Sequence, residues 1–122
     1  MTANSDMPTI TIYQKPTCTT CRQTIAILKE SGVDFNAVDY YIEPIPKKKL
    51  KQLLEKMKLS PHEILRRKES IYKMLRLHER NLTVDELIEL MVRHPDLIQR
   101  PIVEKGGKAV LARPAERIRE IL

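Results

Sequence analysis

Cys18 and Cys21 are the only cysteines in this chain of 122 residues, and they form a C-x-x-C pair. Directly ahead of them, Thr9-Ile10-Thr11-Ile12-Tyr13 is β-branched and alternating, which predicts a strand. Directly after them, Ile25 and Leu28 begin an apolar face at helical spacing, with Thr19 or Thr20 as the expected cap. The pair therefore sits where a strand hands over to a helix start. Free N–H groups and the positive end of the helix dipole meet at that point. Both favour a thiolate, the reactive form of cysteine, so the pattern points to redox or nucleophilic sulfur chemistry. Arg22 follows the second cysteine and can add positive charge. Three duller readings stand beside this one. Two buried cysteines can be inert. A zinc site needs four ligands, and His62, His78 and His94 are scattered along another stretch of the chain. A permanent disulfide is disfavoured where thiols are kept reduced.

The elements that must position the pair can be read outward from it. Gly32 is a natural helix stop. Residues 35–41 read as a second strand, so strand, helix and strand make a parallel βαβ unit with a right-handed crossover. The middle is helical. Pro44 and Pro46 punctuate its start, and Leu50, Leu53, Leu54 and Met57 follow i, i+3, i+4, i+7 spacing. Ser60-Pro61-His62-Glu63 combines a cap, a first-turn proline and a capping-box glutamate, and predicts a helix through Ile64, Leu65, Arg66, Arg67 and Lys68. A short helix is expected near residues 71–77. Thr83 and Glu86 form a second capping box, after which Val84, Leu87, Ile88 and Met91 line one face until His94-Pro95 ends it. Pro101-Ile102-Val103-Glu104 and Ala109-Val110-Leu111 flank Gly106-Gly107 and predict a hairpin. A last helix is expected from Arg113-Pro114-Ala115-Glu116, with Ile118, Ile121 and Leu122 facing inward. The order is β-α-β, a helical block, then β-β-α. Residues 1–122 read as a single α/β domain, with a core of about 9–43 and 96–122 and a helical insertion of about 44–95.

Composition narrows the functions open to such a domain. The chain is 42% hydrophobic and 31% charged, which suits a soluble folded protein. No apolar run reaches the roughly 18 residues that a membrane helix needs. The first eight residues carry no basic start and no apolar stretch, so no secretion signal is expected and the cytoplasm is the default. Aromatic content is 4% with no Trp, which argues against nucleic-acid binding on stacked aromatic platforms. The net charge of +6 favours anionic partners in general. Much of the excess sits in Lys47, Lys48, Lys49 and Lys51, which reads as a solvated helix face.

The strand-CxxC-helix opening and the β-β-α close are similar to a thioredoxin-like fold with a four-stranded mixed sheet. A closer likeness lies in four ordered segments. Tyr13-Gln14-Lys15-Pro16-Thr17-Cys18-Thr19-Thr20-Cys21-Arg22 resembles the nucleophile loop of the glutaredoxin-linked arsenate reductase (ArsC-like) family. Glu63-Ile64-Leu65-Arg66-Arg67-Lys68-Glu69, followed by Tyr72, resembles its Leu-Leu-Arg segment. His94-Pro95-Asp96-Leu97-Ile98-Gln99-Arg100-Pro101-Ile102-Val103 resembles its His-Pro…Arg-Pro-Ile-Val segment, and Val110-Leu111-Ala112-Arg113-Pro114-Ala115-Glu116 resembles its final Arg-Pro-x-Glu segment. The likeness runs from about residue 9 to the end.

This resemblance implies a thiol-dependent oxidoreductase that reduces arsenate. Cys18 takes the position of the nucleophile. Arg66, Arg100 and Arg113 take those of three arginines that hold the oxyanion, and Pro101 that of a cis-proline beside the active cysteine. Guanidinium forks suit a tetrahedral oxyanion and lower the pKa of a nearby thiol. Taken singly, each is one of ten arginines, and a typical arginine is a surface charge. No bound cofactor is implied. The reductant would be glutathione or a glutaredoxin or thioredoxin. The chain departs from the enterobacterial pattern in two places. Gln14-Lys15-Pro16 stands where those members have His-Asn-Pro, and Lys15 can supply the missing positive charge. Cys21 stands where they have Ser, so either Cys21 or an external thiol can resolve the Cys18 adduct. The chain is also similar to Spx-type redox regulators, for which the partner would be RNA polymerase. A general thiol–disulfide oxidoreductase is the third reading.

Overall fold

In the computed structural model, which describes residues 9–122, the alternation of Ile10, Ile12 and their neighbours builds β1 (Ile10–Gln14). Helix α1 (Thr19–Glu30) follows, and Gly32 takes the left-handed conformation just past its end, at φ 69°. That geometry suits a residue without Cβ. Strand β2 (Phe35–Asp39) pairs parallel to β1, with Ile12 opposite Ala37, and is two residues shorter than expected at its C-terminal end. At the other end of the chain, β3 (Ile102–Lys105) and β4 (Lys108–Leu111) form the expected hairpin around Gly106 and Gly107. Strand β3 runs antiparallel to β1, with Ile12 opposite Val103, and the sheet order is β2-β1-β3-β4. This is the four-stranded mixed sheet of a thioredoxin-like α/β fold.

Among the described residues, 9–39 with Arg100–Leu122 form one compact unit, and Tyr40–Gln99 form another. The core of the sheet unit gathers Ile10, Ile12, Val103 and Val110 from the strands with Leu28 from α1 and Ile118 from the chain end. Leu28 and Ile118 are fully buried. The last segment, Ala115–Glu120, is a 3-10 helix rather than the expected α-helix. Ile118 faces inward as expected, whereas Leu122 is 40% exposed.

The helical unit contains α2 (Lys47–Met57), α3 (Ser70–Met74) and α4 (Val84–Arg93). Leu50, Leu53 and Leu54 of α2 and Leu87, Ile88 and Met91 of α4 are buried, as their spacing predicts. Val84 is not: it stands in the first turn of α4, half exposed. The capping box forms, with Thr83 Oγ1 accepting from the Glu86 N–H at 3.2 Å and Glu86 Oε1 accepting from the Thr83 N–H at 2.9 Å. The lysine-rich face of α2 is tied to α4 through Lys47–Glu89 at 3.0 Å and Lys51–Asp85 at 2.9 Å. Among the described residues no helix is long and apolar enough to cross a membrane.

The segment after Ser60 corrects the sequence reading. Only Pro61–Ile64 is helical, as a 3-10 turn. Leu65 then forms a single antiparallel bridge with Ile98. The Arg66 N–H donates to the Leu97 carbonyl and the Gln99 N–H to the Ile64 carbonyl, each at 2.8 Å. These long-range bonds satisfy the backbone groups that a helix would have used. Arg66 and Arg67 therefore stand on extended and turn backbone, not on a helix face.

Candidate active site

The sheet register decides which loops meet. Tyr13 in β1 lies opposite Ile102 in β3, and Ile102 lies opposite Leu111 in β4. Antiparallel pairing thus brings three segments to one sheet end: the one after Tyr13, the one before Ile102 and the one after Leu111. They carry Lys15, Cys18 and Cys21; Arg100 and Pro101; and Ala112 and Arg113. Both Arg-Pro steps, Arg100-Pro101 and Arg113-Pro114, are cis. The Ala112 N–H donates to the Pro101 carbonyl at 3.0 Å, and Arg113 Nη1 donates to the Arg100 carbonyl at 2.8 Å.

Cys18 is itself the N-cap of α1, a place expected for Thr19 or Thr20. A turn closed by the Cys18 N–H to the Lys15 carbonyl at 2.9 Å sets it there. Its sulfur accepts the Cys21 backbone N–H at 3.3 Å, one of the donors that a helix leaves unsatisfied in its first turn. Sulfur here does what a serine oxygen does at other helix starts. Cys18 is half-buried and Cys21 is fully buried.

The two thiols are driven in opposite directions. For Cys18, burial is the largest single influence and pushes the thiol up. The hydrogen bonds from the Cys21 thiol and backbone N–H, with the Arg100 guanidinium beside the sulfur, together outweigh it, so Cys18 is lowered from the ordinary thiol value of 9.0. Cys21 is pushed up to about 12, by burial first and then by the hydrogen bond it gives to Cys18. The pair is thus split, with Cys18 the more acidic thiol and Cys21 the less acidic one. Arg100, itself only 6% exposed, is the guanidinium that lowers the Cys18 value. A cation beside a half-buried thiol of lowered pKa at a helix start suits binding a small anion and attacking it.

The other sequence candidates are distributed as follows. Arg113 belongs to the same sheet unit and holds the Arg100 backbone. Arg22 is an exposed side chain on the first turn of α1. Arg66 belongs to the helical unit. Its Nε and Nη2 donate to Glu69 Oε2 at 3.3 and 3.2 Å, and its Nη1 donates to Gln99 Oε1 at 3.3 Å. Arg67 donates instead to the Tyr72 hydroxyl at 3.4 Å and the His62 carbonyl at 3.2 Å. Sequence reading did not find Glu69 and Gln99 as holders of Arg66, nor the second cis step. The signal for the latter was present in the repeated Arg-Pro dipeptide. Among the described residues no group of three or more His, Cys, Asp and Glu side chains is arranged to hold a metal ion.

The chain is similar in sequence and fold to known proteins. A family model described as the ArsC family matches residues 13–121. The arsenate reductase of Neisseria meningitidis serogroup A is 37% identical over 117 residues, spanning 95% of this chain and 100% of that protein. The Escherichia coli K12 protein named "Uncharacterized protein YfgD" is 40% identical over 114 residues, spanning 93% of this chain and 96% of that one. The solved arsenate reductase from Vibrio cholerae superposes with a TM-score of 0.87 at 37% identity, covering 94% of this chain and 98% of that one.

Proposed function

We infer, from the premise that the chain belongs to the ArsC family, that it is a thiol-dependent oxidoreductase whose substrate is arsenate. The Cys18 thiolate attacks arsenic(V). A sulfur–arsenic bond forms, a protonated arsenic–oxygen bond breaks, and water leaves. A second thiol then attacks the Cys18 sulfur, and arsenic departs as arsenite with the electron pair of the broken bond.

The observation that carries this reading is the lowered thiol at a helix start with a buried guanidinium beside it. Repulsion between an anionic nucleophile and an anionic substrate opposes such an attack, and fixed cations offset it. Arg100 supplies that charge next to the sulfur. By family position Arg66 and Arg113 are the other two oxyanion arginines, with Lys15 and Arg22 as further positive charges and Pro101 as the cis-proline. Residues 1–122 act as one domain, with the 44–95 stretch inserted into the thioredoxin-like core. The reaction consumes thiols and needs no bound cofactor. It belongs in the cytoplasm, where glutathione, a glutaredoxin or a thioredoxin can supply them.

The test is arsenate-dependent thiol consumption, with glutathione, glutaredoxin and thioredoxin all supplied. Wild type is expected to release arsenite, and Cys18→Ser to give none. Equal rates in the two proteins would overturn the assignment.

A further inference from the structure

The helix start that activates Cys18 also stores a second sulfur. The Cys21 backbone N–H donates to the Cys18 sulfur at 3.3 Å. Cys21 is 0% exposed. A thiol so placed meets Cys18 before it meets any solute. We propose that Cys21 is the internal resolving thiol, held inactive while Cys18 is a thiolate and released once Cys18 is consumed, so that each turnover closes a Cys18–Cys21 disulfide. This rests on the reading of Cys18 as the nucleophile toward arsenate.

The release follows from what surrounds Cys21. Burial raises its pKa most. The hydrogen bond it gives to Cys18 and the negative charge of Cys18 raise it further, while the Lys15 backbone N–H and Arg100 act in the opposite sense. Bonding Cys18 to arsenic removes its charge and its capacity to accept that hydrogen bond. Both contributions from Cys18 vanish together, and those of Lys15 and Arg100 remain. The first step therefore lifts the hold that the Cys18 sulfur itself has on the resolving thiol. Its attack is also intramolecular and aligned within one helical turn, an advantage that a solute thiol lacks.

In the second step a sulfur–sulfur bond forms and the sulfur–arsenic bond breaks. Its electron pair passes to arsenic, which goes from the +5 to the +3 state, and the Cys21 proton ends on an arsenite oxygen. Summed with the first step, two thiols and one arsenic acid give one disulfide, one arsenous acid and one water. The reductant that reopens the disulfide is a protein dithiol. A monothiol that attacked Cys18 would form a mixed disulfide, which Cys21 would expel again. A dithiol escapes by closing its own disulfide.

The experiment mixes reduced wild-type protein with arsenate and no added thiol, quenches in acid, alkylates with N-ethylmaleimide and weighs the product. The expected result is one arsenite per chain, no alkylated cysteine and a mass lower by two hydrogens. Cys21→Ser is expected to release no arsenite until glutathione is added. Wild-type protein that releases arsenite only with glutathione, and leaves Cys21 open to alkylation, would overturn the proposal. A parallel arm replaces arsenate with diamide. If diamide closes Cys18–Cys21 while arsenate changes neither thiol even with glutathione present, the arsenate reading fails and the resolving role stands.

Discussion

Arg113 grips the backbone of Arg100: its Nη1 donates to the Arg100 carbonyl at 2.8 Å. One guanidinium thereby holds the segment that presents the other to the Cys18 sulfur. A hydrogen bond from a charged group contributes about 1.5–3 kcal/mol. If that energy positions Arg100, Arg113→Gln lowers kcat/KM for arsenate by roughly 10- to 100-fold. It also slows alkylation of Cys18 at neutral pH, which a purely substrate-binding role would leave unchanged. Stopped-flow alkylation alongside steady-state kinetics separates the two.

Arg100→Gln removes the charge itself. The pH at which Cys18 becomes reactive toward iodoacetamide is expected to move upward, toward the ordinary thiol range, because the guanidinium favours the thiolate. An unmoved titration curve would show that the helix start alone lowers the thiol.

Arg66 offers a contrast. Its guanidinium is engaged by Glu69 and Gln99. Arg66→Gln is expected to raise KM for arsenate by about tenfold, the worth of roughly 1.4 kcal/mol, and to leave the Cys18 alkylation profile where it is. A shifted profile would assign Arg66 a role on the sulfur instead.

Cys21 is expected to make the protein sensitive to alkali. Its pKa is raised in the folded state, so the thiol form is favoured by folding. That contribution is complete below the ordinary thiol value of 9.0 and is lost as pH rises from there toward about 12. Denaturant titrations between pH 8 and pH 11 should show wild type losing stability relative to Cys21→Ala as pH rises. A constant difference across that range would contradict the raised value.

Leu28 connects the helix that carries the thiols to the sheet. It is fully buried in the cluster with Ile10, Ile12 and Val103. Leu28→Ala is expected to cost about 2–5 kcal/mol, read as a lower urea midpoint. A cost below about 1 kcal/mol would mean that the site relaxes around the cavity.

Most of what is local was legible in the chain. The β-branched run before Cys18, the spacing of Leu50, Leu53 and Leu54, the Thr83–Glu86 box and the Gly-Gly hairpin each follow from neighbours within a few residues, and each formed. The stretch after Ser60 did not follow its helical pattern. Its backbone groups found partners in Ile98 and its neighbours, more than thirty positions away, and no window of local sequence contains that alternative. The cap was misplaced for a related reason. Thr19 and Thr20 are better capping residues by propensity, but the Lys15–Cys18 turn fixed where the helix begins.

The amino-acid sequence alone determined that a C-x-x-C pair stands between a strand and a helix, and its ordered segments marked the arginines worth attention. Tertiary structure alone decided that Arg100 is the buried cation beside Cys18, that Arg113 supports Arg100 through its carbonyl, and that Cys21 is the sealed partner of the pair. The physical reason is that spacing along a chain sets periodicity and caps. Which charges face a sulfur is set by strand register, here Tyr13 opposite Ile102 and Ile102 opposite Leu111, and by which side chains packing shuts away from water.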